Sequence, residues 1–166
     1  MKVGVLTSGG DSPGMNACIR AIVRIGCGRG FGVTGVYGGF EGILNEDFVD
    51  LNARSVANII HRGGTMLTTG RSEEFKTEEG LKKAARNLDK AGFDALIAIG
   101  GDGTMRGLAA LGKFWPHQTL GIPGTIDNDV YGTTIGHLIF PDSRGDAPPR
   151  FSSRRPHMVA AQRALA

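Results

Sequence analysis

Two sets of acidic residues framed by glycine carry the first chemical signal in this chain. Gly100-Gly101-Asp102-Gly103-Thr104 follows the apolar run 95–99, and Pro123-Gly124-Thr125-Ile126-Asp127-Asn128-Asp129 follows the run 119–122. Short apolar runs of this kind read as buried parallel strands, and open α/β sheets hold ligands at the carboxyl ends of such strands. Glycine lets the backbone approach phosphate oxygens and offer N–H groups, while a carboxylate there can hold Mg²⁺ or take a proton. In the first motif, Asp102 precedes the hydroxyl of Thr104 at the start of the next helix, which suits Mg²⁺ and polyphosphate. The plain alternative is that Asp102 only caps that helix. In the second motif, Asp127 and Asp129 are two residues apart and repel unless a cation or a proton-bearing substrate lies between them. One can then serve as general base toward a hydroxyl while its neighbour supports Mg²⁺ or orients the base; the plain alternative is a surface Asx turn. Phosphoryl transfer needs both parts, so a kinase-type site is the expectation.

The elements that must position these residues are legible in outline. Residues 3–7 read as a first strand, and Thr7-Ser8-Gly9-Gly10-Asp11-Ser12-Pro13-Gly14 joins it to a helix N-terminus, where glycines and the helix dipole make an anion cradle. The loop is neither a Walker A motif nor a full dinucleotide fingerprint, and alone it is equally a tight βα turn. An amphipathic helix is expected over about 15–26, with Met15, Ile19, Ile22 and Val23 on its buried face. A second strand over 32–37, a helix around 54–61, a helix over about 78–91, the strand 95–99 and a helix after Thr104 complete the pattern. Repeated strand–loop–helix units imply an α/β fold: a Rossmann-like parallel sheet with helices on both faces.

Length and charge narrow the class. A chain of 166 residues allows one domain with a real core, and 40% hydrophobic residues is ordinary for a globular protein. No apolar run approaches the roughly 20 residues of a membrane helix, and the N-terminus enters a strand with no signal-peptide pattern. Cys18 and Cys27 lack metal-site spacing, so buried free thiols in the cytoplasm are expected. Residues 1–136 hold 14 Lys+Arg and 14 Asp+Glu, which leaves the net +3 to the last thirty residues. A compact basic face for nucleic acid is therefore not indicated. The composition also breaks there: 26 of 27 glycines precede residue 137, while four of seven prolines follow it. A Pro/Arg/Ser-rich segment such as 137–166 is expected to lack stable order.

Taken together, residues 7–14, Arg62-Gly63-Gly64-Thr65, Gly100-Gly101-Asp102-Gly103-Thr104 and residues 123–129 resemble the signatures of the phosphofructokinase family, in order and at its spacing. NAD kinases and lipid kinases share the GGDGT motif but lack the opening TSGGD and the later PGTIDND. The resemblance covers about residues 1–136 and implies the nucleotide lobe of an enzyme that phosphorylates fructose 6-phosphate with ATP and Mg²⁺ in glycolysis. It implies that Gly10, Arg71, Ser72, Gly101, Asp102, Gly103 and Thr104 bind ATP, with Asp102 on Mg²⁺. Thr125, Ile126 and Asp127 would meet the sugar, Asp127 as the base for its 1-hydroxyl, while Asp129 and Gly124 support the site. Pyrophosphate-using relatives tend to carry Asp and Lys where this chain has Gly103 and Gly124, so ATP is the implied donor. Arg20, Arg24 and Arg54 match the positions of a bacterial ADP or phosphoenolpyruvate effector site, and the family is homo-oligomeric. The alternative for the arginines is a solvated helix face.

The resemblance stops after Thr133-Thr134-Ile135-Gly136, where the family continues into a long helix and a second α/β lobe. The abrupt change to His137-Leu138-Ile139-Phe140-Pro141 and a basic tail reads as out-of-frame translation or a rearranged gene end. The expectation at this point is an enzyme lobe by resemblance, with a catalytically inactive remnant that at most binds nucleotide or associates with subunits as the alternative.

Overall fold

A computed structural model describes residues 1–124 and Val130. The roles expected of Thr125, Ile126, Asp127 and Asp129, and the unordered tail expected over 137–166, lie outside the described residues. Five strands form one sheet in the order β3-β2-β1-β4-β5: β1 Lys2–Ser8, β2 Gly32–Val36, β3 Phe48–Leu51, β4 Ala95–Gly100 and β5 Gln118–Pro123. Strand β1 is central, parallel to β2 on one side and to β4 on the other, and β4 is parallel to β5. The sheet is mixed rather than wholly parallel, because β3 runs antiparallel to β2, with Val36 opposite Phe48.

Alternation along the strands feeds two cores. Val5 and Ile99 pack with Met15, Ile19 and Val23 of helix α1 (Met15–Gly28), so the expected apolar stripe is the buried face of that helix. Leu6 and Ala98 point the other way, toward helices α2 (Phe40–Leu44), α3 (Glu78–Lys90) and α4 (Asp102–Leu111). Helices thus cover both faces of the sheet. Each buried Leu or Ile contributes roughly 1.5–3 kcal/mol, which the two layers repeat many times over. Helix α3 is the best bounded: Thr77 Oγ1 accepts the Gly80 amide at 3.0 Å, Glu78 and Glu79 lie in the first turn and Lys90 in the last.

Two expectations need correction. No helix forms over 54–61; the chain runs through successive turns there. Asn52 Oδ1 accepts the amides of Arg54 and Ser55, and Asn58 takes a left-handed φ of 56° that ends any helical run. Val56 and Ile59 still reach the core, so their helical spacing is met by turns. The cysteines are free, as expected, but half-buried rather than buried.

Candidate functional site at the carboxyl ends of β1, β4 and β5

The sheet order reverses between β1 and β4, since the chain places β2 to one side of β1 and β4 to the other. Crevices of this kind lie beyond the strand carboxyl ends, and three loops converge there. Ser8 of β1 pairs with Gly100 of β4, and Gly100 with Pro123 of β5. The Gly124 amide donates to Gly100 O at 2.9 Å, and Ser12 Oγ lies 3.5 Å from Gly124 O. Thr104 Oγ1 donates across the switch to Ser8 O at 3.3 Å. A Cβ on Gly100 would collide with both Thr104 Oγ1 and Ser8 O, so only glycine lets the two loops meet this closely. The glycine loops expected from the sequence therefore form one bonded cluster.

Two helix N-termini open onto this cluster. Helix α1 starts after Gly14, whose φ of 95° belongs to the left-handed region, and carries no acidic residue in its first turn. Helix α4 starts at Asp102 with Gly101 as its N-cap residue. Unpaired backbone N–H groups and the positive ends of two helices favour an anion here. Gly10 and Gly103 are exposed with open space where a side chain would be, so a ligand can approach the backbone closely.

Asp102 is half exposed and forms a 2.8 Å ion pair with Arg106 one turn on. Among the described residues no group of three His, Cys, Asp or Glu could hold a metal unaided. One carboxylate beside open backbone N–H groups fits a cation that shares its ligands with polyphosphate oxygens, the usual habit of Mg²⁺. Thr104 also joins the loops. Its side chain is buried, its hydroxyl is bonded to Ser8 O, and its amide donates to Gly101 O at 3.0 Å.

Arg71 and Ser72 come from the irregular segment that follows the turn at Arg62-Gly63-Gly64-Thr65. Arg71 is exposed, while buried Ser72 accepts the Phe75 amide at 3.2 Å. Sequence reasoning missed what holds this segment. Thr7 Oγ1 bonds Thr65 Oγ1 at 2.9 Å and Thr68 O at 2.8 Å, and Asn16 grips the turn from α1. The sequence signal was Asn16 itself, a polar residue next to Met15 of the apolar stripe, whose amide needs partners when buried. The three arginines meet only in part. Arg20 Nη1 donates to Val56 O at 2.6 Å, which ties α1 to the turn carrying Arg54. Arg24 and Arg54 are exposed.

Cys18 lines the small cleft formed with Ser12, Pro13, Gly14, Ile122 and Gly124. Burial pushes its thiol up to about 11, so it is a neutral lining group at ordinary pH.

A Rossmann-like sheet with glycine loops bonded together at its switch point defines an open α/β architecture with helices on both faces. The chain belongs to the phosphofructokinase family, whose profile matches residues 2–137. It is 56% identical over 137 residues to an ATP-dependent 6-phosphofructokinase of Clostridium tetani, a match covering 81% of this chain and 43% of that one. ATP-dependent 6-phosphofructokinase 1 of Thermus thermophilus is 54% identical, with 81% and 42% covered. Among solved structures, phosphofructokinase from Saccharomyces cerevisiae superposes with a TM-score of 0.74 at 38% identity, over 77% of this chain and 20% of that one. A pyrophosphate-dependent phosphofructokinase from Marinobacter aquaeolei shares the fold, with a TM-score of 0.68 at 17% identity over 77% and 34%. The chain spans about two fifths of the length of the curated relatives it matches.

Proposed function

We propose that this chain forms the MgATP-binding part of an ATP-dependent 6-phosphofructokinase of glycolysis, a cytoplasmic and homo-oligomeric enzyme. The observation that carries the reading is the bonded cluster of glycine loops at the carboxyl ends of β1, β4 and β5. In this reading Gly10, Gly101 and Gly103 offer backbone to the polyphosphate, and Arg71 meets its charge from the facing segment. Ser72 shapes the end of that segment, and Thr104 locks the loops. Asp102 holds the Mg²⁺, which when bound neutralises charge on the β- and γ-phosphates. Thr125 and Ile126 border the fructose 6-phosphate, with Gly124 and Asp129 in support. Asp127 takes the proton of the 1-hydroxyl as its oxygen bonds the γ-phosphorus, and the β–γ bond breaks to release ADP. Open space at Gly103 favours ATP as donor, because it leaves room for the α-phosphate and nucleoside.

Arg20, Arg24 and Arg54 form the anionic effector site of this reading, suited to ADP or phosphoenolpyruvate. Arg20 already bonds Val56 O, so Arg24 and Arg54 are the cleaner positions for substitution.

The alternative reading, an inactive nucleotide-binding remnant, keeps the MgATP contacts and lacks turnover. One experiment on the purified chain separates the readings. Calorimetry with MgATP should show binding that Asp102→Asn weakens about tenfold, with metal-free ATP affected far less. No binding at several times a typical cellular ATP level would sink both readings. Formation of fructose 1,6-bisphosphate near the roughly 10 s⁻¹ typical of enzymes would reject the remnant. Its absence alongside MgATP binding would place the rest of the reaction on residues beyond these.

A further inference from the structure

Residues 62–72 include no α-helix or strand, yet Thr7, near the carboxyl end of β1, bonds Thr65 and Thr68 within them. Side-chain bonds from neighbouring elements define their path. Asn16, in the first turn of α1, is 4% exposed. Its Nδ2 donates to Arg62 O at 3.1 Å and Gly63 O at 3.2 Å, and its Oδ1 accepts the Met66 amide at 2.7 Å. Both ends of one amide are therefore used on a single turn. No other side chain of the same size offers two donors and an acceptor in this arrangement.

Beyond Met66 the segment has no freedom left to correct an error at the turn. Leu67 is fully buried, and its carbonyl accepts the Gly38 amide at 2.9 Å. Thr68 O accepts from Thr7, Thr68 Oγ1 accepts from Gly38, and Gly70 packs directly against Gly38 O. Arg71 is the next residue.

We propose that Asn16 is a positioning residue: it fixes the 62–66 turn and, through the bonded segment, sets Arg71 at the nucleotide phosphates. The inference rests on the MgATP reading for what Arg71 touches, but not for what Asn16 holds. Asn16→Asp keeps the volume and turns a carboxylate toward two carbonyl oxygens. The two carbonyl acceptors then lose their donors, and the turn opens locally.

The test uses the full 166-residue chain and two readouts. Amide exchange in the unchanged protein should show Met66 at least 100-fold slower than an unstructured peptide. In Asn16→Asp, exchange over 65–69 should accelerate at least tenfold more than exchange in β1 and β4. A fast Met66 amide in the unchanged protein, or an equal acceleration everywhere, would overturn the proposal. Should Asn16→Asp not fold, Asn16→Ser goes through the same comparison. The second readout is calorimetric affinity for MgATP in a double-mutant cycle with Arg71→Ala. Asn16→Asp should weaken binding about tenfold when Arg71 is present and less than twofold when it is absent. An equal loss in both backgrounds would refute action through Arg71. If the unchanged chain binds no MgATP, the nucleotide reading fails on its own, while local opening over 65–69 still upholds the hold of Asn16 on the turn.

Discussion

Cys18 shows how far a residue's surroundings can change its chemistry. A thiol near its ordinary value is a fair nucleophile at pH 8, whereas one held up to about 11 by burial is almost wholly protonated. Cys18 should therefore be alkylated by iodoacetamide roughly 10²-fold more slowly than an unperturbed small-molecule thiol added as a reference, at equal access. Mass spectrometry of the partly labelled mixture reads the order directly. The sign of the pH dependence follows from the same burial. The folded state holds the proton more tightly than the unfolded chain, so this contribution is complete below the unfolded value near 9. It declines as pH rises from there through about 11. Denaturant midpoints should fall across that window, and Cys18→Ala should remove part of the fall. Midpoints independent of pH between 9 and 11 would contradict the burial argument.

Among the elements, α3 offers the clearest energetic test. Thr77→Ala removes the acceptor of the Gly80 amide and should cost about 1 kcal/mol in chemical denaturation, while Thr77→Ser should cost much less. The same helix shows why part of the fold could be read in advance. Thirteen residues give room for a 3.6-residue period, and Leu81, Ala84, Ala85 and Leu88 mark it. Strands β1 and β4 were equally plain, because apolar runs end in glycine at the expected loops. Helix α2 and strand β3 have five and four residues, too few for a period to emerge, so the antiparallel edge went unseen. At 54–61 the spacing of Val56 and Ile59 misled, because two turns can place apolar residues as one helix would. The loop cluster was legible because glycine and carboxylate types announce it. Its bonds were not, since Thr104 with Ser8 and Asn16 with Arg62 join residues far apart in sequence.

At the scale of the molecule, β5 is one of the two outer strands among the described residues, and Leu120 on it is 48% exposed. An edge strand with an apolar side chain invites pairing between copies. Light scattering should therefore show association that rises with concentration. Leu120→Lys should reduce it while changing stability by no more than about 0.5 kcal/mol. Association unaffected by the lysine would place the sticky surface elsewhere. The central place of β1 has a consequence of another kind. It is made before either of its partners, and it needs a neighbour on each side. Strand β2 follows within one helix, but Val3 must wait for Ala95 before its other edge is filled. At about 5–20 residues per second, roughly ninety residues of synthesis leave that edge open for some 5–20 s. During this time Val3, Val5 and Leu6 stand in a half-built sheet, within reach of a neighbouring nascent chain. The sequence gap between β1 and its second partner thus sets how long that edge stays unpaired on each new molecule.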